Sequence, residues 1–178
     1  YSYDTLNKAF LPTDGERQRV SFDMSIPGSD LEYYTVNYLG ETYIPLLDKE
    51  DVSLRLKARL GYGDGFGDSS GLPFLKNFFA GGIRSVRGYA YNSLGADNTL
   101  YETSTAGVFE TAGGNVLLTG TAALQFPLPG VKETDQARLS LFTDVGQIYN
   151  DNIEVDELRY SAGLALAWMT PIGPLSFT

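Results

Sequence analysis

A chain of 178 residues with 13 Lys and Arg against 22 Asp and Glu carries a net charge of −9, which argues against a nucleic-acid binder. It contains no Cys and no His, which removes disulfides, thiolate nucleophiles, Cys- and His-ligated metal centres and Ser-His triads; neither an enzyme nor a metal or cofactor site is expected. What remains, with 12 Tyr, 10 Phe and 20 Gly, is a β composition.

The first residues, Tyr1–Leu6, read as the tail of a strand, followed by a turn at Pro12–Gly15. From there the chain alternates with period two. Val20, Phe22, Met24 and Ile26 oppose Arg19, Ser21, Asp23 and Ser25, and a turn follows at Pro27–Asp30. Tyr34, Val36, Tyr38, Thr42 and Ile44 oppose Thr35, Asn37 and Glu41, up to a turn at Pro45–Asp51. The clearest run sets Val52, Leu54, Leu56, Ala58, Leu60 and Tyr62 against Ser53, Arg55, Lys57, Arg59 and Gly61. Three cations on one face and an unbroken apolar face opposite imply two different solvents on the two sides of one sheet. Alternation then lapses from Gly63 to about Gly114, a connection of about 50 residues, rich in Gly, Phe, Tyr and Asn and so expected to be ordered. It resumes with Val116, Leu118, Ala122, Leu124 and Phe126 against Asn115, Thr119, Thr121 and Gln125. After a turn at Pro127–Asp135, Leu139, Leu141 and Val145 oppose Ser140, Asp144 and Gly146. Tyr160, Ala162, Leu164, Leu166 and Trp168 then oppose Arg159, Ser161 and Gly163, and Pro174–Thr178 opens another strand. The expectation is about seven full strands and two partial ones.

No stretch reaches the roughly 18 apolar residues of a spanning helix. The mean hydropathy of −0.14 suits a transmembrane barrel, whose lipid-facing and lumen-facing residues cancel. Short turns at one end, a long loop at the other and aromatic residues near strand ends (Tyr33, Tyr34, Tyr43, Tyr62, Tyr149, Tyr160, Trp168) point the same way. A soluble β-sandwich or lipocalin-like barrel is the alternative on pattern alone.

Inside the long loop stands Asn77-Phe-Phe-Ala-Gly-Gly-Ile-Arg-Ser-Val-Arg-Gly-Tyr89. Its tetrad Val86, Arg87, Gly88 and Tyr89 resembles the hallmark of the BamA family of outer-membrane β-barrel assembly proteins. The resemblance runs through Phe10–Arg17, Ile26–Tyr34, Gly61–Gly65, Phe78–Gly82 and Trp168–Leu175 in order and spacing. It implies an all-β, antiparallel transmembrane barrel, of which residues 1–178 would be a C-terminal part. That part is about half of sixteen strands, with the long sixth extracellular loop at about 63–114 and no periplasmic repeats. It also implies a bacterial outer-membrane location and a role in folding and inserting other β-barrel proteins. The implied partners are nascent barrel proteins, outer-membrane lipid and, through regions outside this chain, accessory assembly lipoproteins. A passive or substrate-selective channel, or a secretion barrel of the same superfamily, is the competing reading.

In the family the tetrad Arg folds into the barrel and meets acidic wall residues. The matching positions are Asp144, in the wall motif Phe142-Thr-Asp-Val-Gly146, and Gln125, an amide where a Glu is familiar. Alternation independently places both on the polar face. A guanidinium holds a carboxylate bidentately and an amide without charge, so the ionic part falls to Arg87 and Asp144. The stripe Arg55, Lys57 and Arg59 is expected to balance lumen acids such as Glu41. Asp64 and Asp68 read as turn residues rather than calcium ligands.

Overall fold

The structure is a computed structural model that describes residues 1–47, 52–95, 100–102, 109–128, 136–170 and 173–178. The strands are β1 (Ser2–Asp4), β2 (Gly15–Met24), β3 (Tyr33–Pro45), β4 (Ser53–Gly65), β5 (Leu100–Glu102), β6 (Phe109–Thr111), β7 (Val116–Pro127), β8 (Ala137–Tyr149), β9 (Arg159–Thr170) and β10 (Gly173–Phe177). Eight of them form one antiparallel sheet in the order β1-β2-β3-β4-β7-β8-β9-β10, with β1 and β10 at its edges. Each pairs with its neighbour in the chain except where the long loop, carrying the small hairpin β5–β6, intervenes between β4 and β7.

Among the described residues six strands are long, at 10 to 13 residues, and the two edge strands are short. The expected count of seven is therefore one too many. Six alternating runs account for all the long strands, and the loop contributes only the three-residue β5 and β6. Strand β4 continues two residues past the expected start of the loop, because its backbone still pairs with β3 through Thr35↔Gly63 and Tyr33↔Gly65.

The burial of the two faces is the reverse of a soluble sandwich. Apolar side chains on the outer face are open, with Phe22 62% and Leu164 59% exposed, while polar Ser53, Thr119, Gln125 and Asp144 on the inner face are buried. Cross-strand neighbours extend the apolar surface: Leu60 lies between Tyr38 and Leu118, and Leu124 between Leu54 and Leu141. Water would penalise such a surface and hydrocarbon would not, so the outer face is the one that meets lipid. The absence of Cys provides a direct check. Single cysteines at Leu56 and Leu60 are expected to react with a membrane-partitioning maleimide, and cysteines at Lys57 and Arg59 with a charged, water-soluble one. Uniform labelling by either reagent would contradict the two-solvent assignment.

The connections β2–β3, β4–β7 and β8–β9 share one end of the sheet. The turn at Pro27–Asp30 thus lies at the long-loop end, since β2 runs antiparallel to β3 and Tyr33 pairs with Gly65. Most of the turns expected at Pro45–Asp51 and Pro127–Asp135 falls outside the described residues. At the long-loop end Glu32 ties the β2–β3 connection to the start of the loop. Its carboxylate accepts the Gly28 N–H at 2.6 Å and the Asp68 N–H at 3.1 Å, and its own N–H donates to Ser69 Oγ at 2.9 Å. Asp64 joins the same rim, accepting the Gly65 N–H at 2.7 Å.

The bonds from Gly28 and Asp68 favour the charged form of Glu32 and hold its carboxyl below the usual glutamate value. A depressed acid stabilises above its unfolded value and ceases to as pH falls through its folded one. Protection of the Gly28 and Asp68 amides against hydrogen exchange is therefore expected to persist at neutral pH and to fall under acid conditions. Glu32→Gln should remove that pH step.

Candidate lumen tether

The long loop turns back over the inner face and supplies most of a small apolar core. Phe78, Ala80, Val86 and Leu94 from the loop pack on Leu117 of β7 and Ile148 of β8, with Leu72 and Tyr89 alongside. Backbone bonds fix the loop. Phe78 N–H donates to Gly114 O at 2.8 Å, Gly114 N–H returns to Phe78 O at 3.1 Å, and Leu94 N–H donates to Ala80 O at 3.1 Å. Asn77 Nδ2 adds a bond to Ala112 O at 2.8 Å. These bonds and contacts deliver the tetrad to the wall.

Val86 is fully buried. It sits over Gly146 of β8, where an added Cβ would stand 2.8 Å from Val86 Cγ2, 2.8 Å from Thr119 Cγ2 and 2.9 Å from Leu118 O. Only a residue without a side chain permits this approach.

Arg87 binds Asp144 through three bonds. Nε donates to Oδ2 at 2.7 Å, Nη2 to Oδ1 at 2.8 Å, and the backbone N–H to Oδ2 at 3.0 Å. Thr121 of β7 is the cross-strand neighbour of this carboxylate. The Asp144 side chain is wholly buried and that of Arg87 is 13% exposed. The guanidinium sits over the face of Phe142, its carbon 3.4 Å from the ring centroid. Pairing and stacking together make a site that Lys cannot reproduce, because an ammonium has neither the fork nor the plane. Gly88, at φ +86°, takes a left-handed backbone angle, and Tyr89 Oη donates to Tyr160 O on β9 at 3.0 Å.

Of the residues expected to act together, Arg87 and Asp144 make the ionic contact, and Gln125 stands farther along the strand from Asp144. Gln125 is buried on the same inner face, where its Oε1 accepts from Ser53 Oγ at 3.4 Å. It stands four residues from Thr121, the cross-strand neighbour of Asp144, which is about 13 Å along the strand.

The cationic stripe faces Glu41 as expected. Glu41 lies directly across from Lys57 and accepts from Arg55, with Arg55 Nη2 at 2.6 Å and Nε at 2.8 Å, and from Tyr43 Oη at 2.8 Å. At the same level Arg17 pairs with Asp4 at 2.7 Å, so charges alternate in sign across the strands that end at Asp144.

Reasoning from alternation did not single out Leu117, Phe142, Gly146 and Ile148 as the loop's seat. A signal was present: Leu117, Phe142 and Ile148 are large apolar residues on an inner parity of β7 and β8 that is otherwise mostly polar or small, and they mark where something apolar packs.

The whole chain, residues 1–178, matches the Omp85 superfamily domain. It is 33% identical to the outer membrane protein assembly factor BamA of Neisseria meningitidis serogroup B, covering 97% of this chain and 24% of that protein. It is 26% identical to a SAM50-like protein of Schizosaccharomyces pombe, covering 100% of this chain and 38% of that protein. The crystal structure of BamA from Haemophilus ducreyi lacking POTRA domains 1–3 superposes with a TM-score of 0.87 at 31% identity, over 99% of this chain and 36% of that one. The chain thus spans about a quarter of the bacterial relative's length and forms half of an open barrel. With its membrane-facing outer surface and its loop held to the inner wall, the chain belongs to the Omp85 superfamily.

Proposed function

We propose that the protein containing this chain folds β-barrel proteins and inserts them into the bacterial outer membrane. The observation that carries this reading is likeness to BamA over nearly the whole chain, in sequence and in shape. Its partners are nascent outer-membrane barrel proteins, the surrounding outer-membrane lipid and, through regions outside this chain, accessory assembly lipoproteins. The work is done without covalent chemistry: strands are offered a template and a lipid boundary, and backbone pairing supplies the driving force. The role assigned to these residues is the tether, which fixes the long loop inside the wall.

A steadily conducting channel is disfavoured by the same geometry, because the loop core from Phe78 to Leu94 occupies the inner face. Reconstitution of the full-length protein in liposomes separates the two. An insertase accelerates folding of an added, unfolded barrel substrate; steady ion conduction with no gain in substrate folding would overturn the proposal.

A further inference from the structure

Toward the turn end from the tether, between the loop tip and the wall, lies a chamber of about 310 Å³. Arg84 and Arg87 of the loop and Arg55 and Lys57 of the wall line it, together with the polar side chains of Gln125 and Ser140. Among the described residues no Asp or Glu lines it. Two of the four cations are neutralised on their far sides, Arg55 by Glu41 and Arg87 by Asp144. Glu41, which faces Lys57 across the strands, already accepts from Arg55 and from the Tyr43 hydroxyl. Among the described residues neither Lys57 nor Arg84 makes a salt bridge of its own, and Glu41, which acts on Lys57, is already engaged by Arg55, so the chamber stays net positive.

Like charges held close together repel. Arg84 and Arg87 on the loop share this chamber with Arg55 and Lys57 on the wall, so the repulsion works against the tether beside it. A volume of this size is at the lower end of small-ligand sites. Guanidinium forks, an ammonium and an amide N–H₂ are all donors, the set that recognises oxygen anions.

We propose that this chamber binds a dissolved oxyanion of the phosphate or carboxylate class. The anion bridges Arg84 to Lys57 and so fastens the loop to the wall a second time, alongside Arg87–Asp144. Loop docking then becomes sensitive to the identity of the anions present, and not only to ionic strength.

The test uses the full-length protein in detergent micelles and reads hydrogen exchange of the amides of residues 84–89. Inorganic phosphate is compared with chloride at matched ionic strength. Phosphate is expected to slow exchange by roughly five- to tenfold, within the usual range of coupling between two sites. The double variant Arg84→Gln/Lys57→Gln is expected to lose this response while the Arg87 amide stays protected relative to an Asp144→Ala control. Gln125→Glu, which places a carboxylate in the chamber, should slow exchange without phosphate and abolish the response to it. Equal behaviour in phosphate and chloride would overturn the proposal and indicate that acids of the remaining barrel wall fill the chamber. Persistence of the phosphate effect in the double variant would also overturn it. If the double variant does not fold, the unaltered protein and Gln125→Glu decide the question alone.

Discussion

Asp144→Ala is expected to destabilise the folded barrel by about 3–5 kcal/mol, the range seen when one partner of a buried ion pair is removed. The carboxylate is fully buried and takes two side-chain bonds and one backbone bond from Arg87. Its loss leaves a guanidinium that is 13% exposed and pinned against Phe142, with little water to replace the missing charge. Arg87→Ala strands the opposite charge and should cost a comparable amount. The double substitution removes both charges together, so its cost should fall well short of the two single costs added. Arg87→Lys should behave more like Arg87→Ala than like the parent, since the bidentate fork and the stack on Phe142 both go. Urea titrations of the full-length protein in lipid, followed by the mobility of the unheated folded form on gels, provide the four corners of the cycle. Additive costs would refute a direct coupling between the two residues.

Gly146→Ala is the second large effect expected, at about 1–3 kcal/mol, the usual cost of forcing a methyl group into a packed site. The new methyl would meet Val86 and Thr119 at 2.8 Å and the Leu118 carbonyl at 2.9 Å. Val86 is the only loop atom set among these and the only one free to leave, so the strain should be relieved by lifting the tetrad. The variant is therefore expected to lose protection at the Arg87 amide as well as stability, although neither Arg87 nor Asp144 has been altered. Adding Val86→Ala should recover part of the loss and no more, because Thr119 and the Leu118 carbonyl belong to the wall and stay. A Gly146→Ala protein with unchanged stability and loop protection would show that the seat is looser than these distances require.

Much of this architecture is legible in the residues. Alternation in 52–62 assigns Leu56 and Leu60 to one solvent and Lys57 and Arg59 to another, and burial follows it at Ser53, Leu56 and Lys57, while Arg59 is exposed, as Leu60 is. The same parity puts Asp144 on the inner face, and the tetrad brings Arg87 to it. What alternation conceals are inner-face positions that are apolar because the loop rests on them. Leu117 and Ile148 break the polar parity of their strands, and a period-two pattern treats them as noise. Phe142 stands on that same inner parity, two residues from Asp144, yet its stacking on Arg87 depends on a contact 55 positions away in the chain. Gln125 shows the opposite limit. Its parity is right, but its height on β7 places it with Ser53 and the chamber rather than at the Asp144 level. Parity fixes a face; only the pairing of strands fixes the level.

The tetrad rests on three adjacent strands at once: Val86 between Thr119 of β7 and Gly146 of β8, Arg87 on Asp144 of β8, and Tyr89 on the Tyr160 carbonyl of β9. A slip of two residues between neighbouring strands leaves every side chain on its proper face, so the apolar pattern cannot resist it. The lumen charges are nearly as permissive, since such a slip exchanges Lys57 opposite Glu41 for Arg55 or Arg59, a cation either way. The seated loop is not permissive. A two-residue shift of β9 carries the Tyr160 carbonyl about 7 Å from Tyr89, and the same shift of β7 brings Leu117 or Thr121 to Gly146 in place of Thr119. The loop thus acts as a gauge on the finished wall, closing only when three strands stand at the right heights.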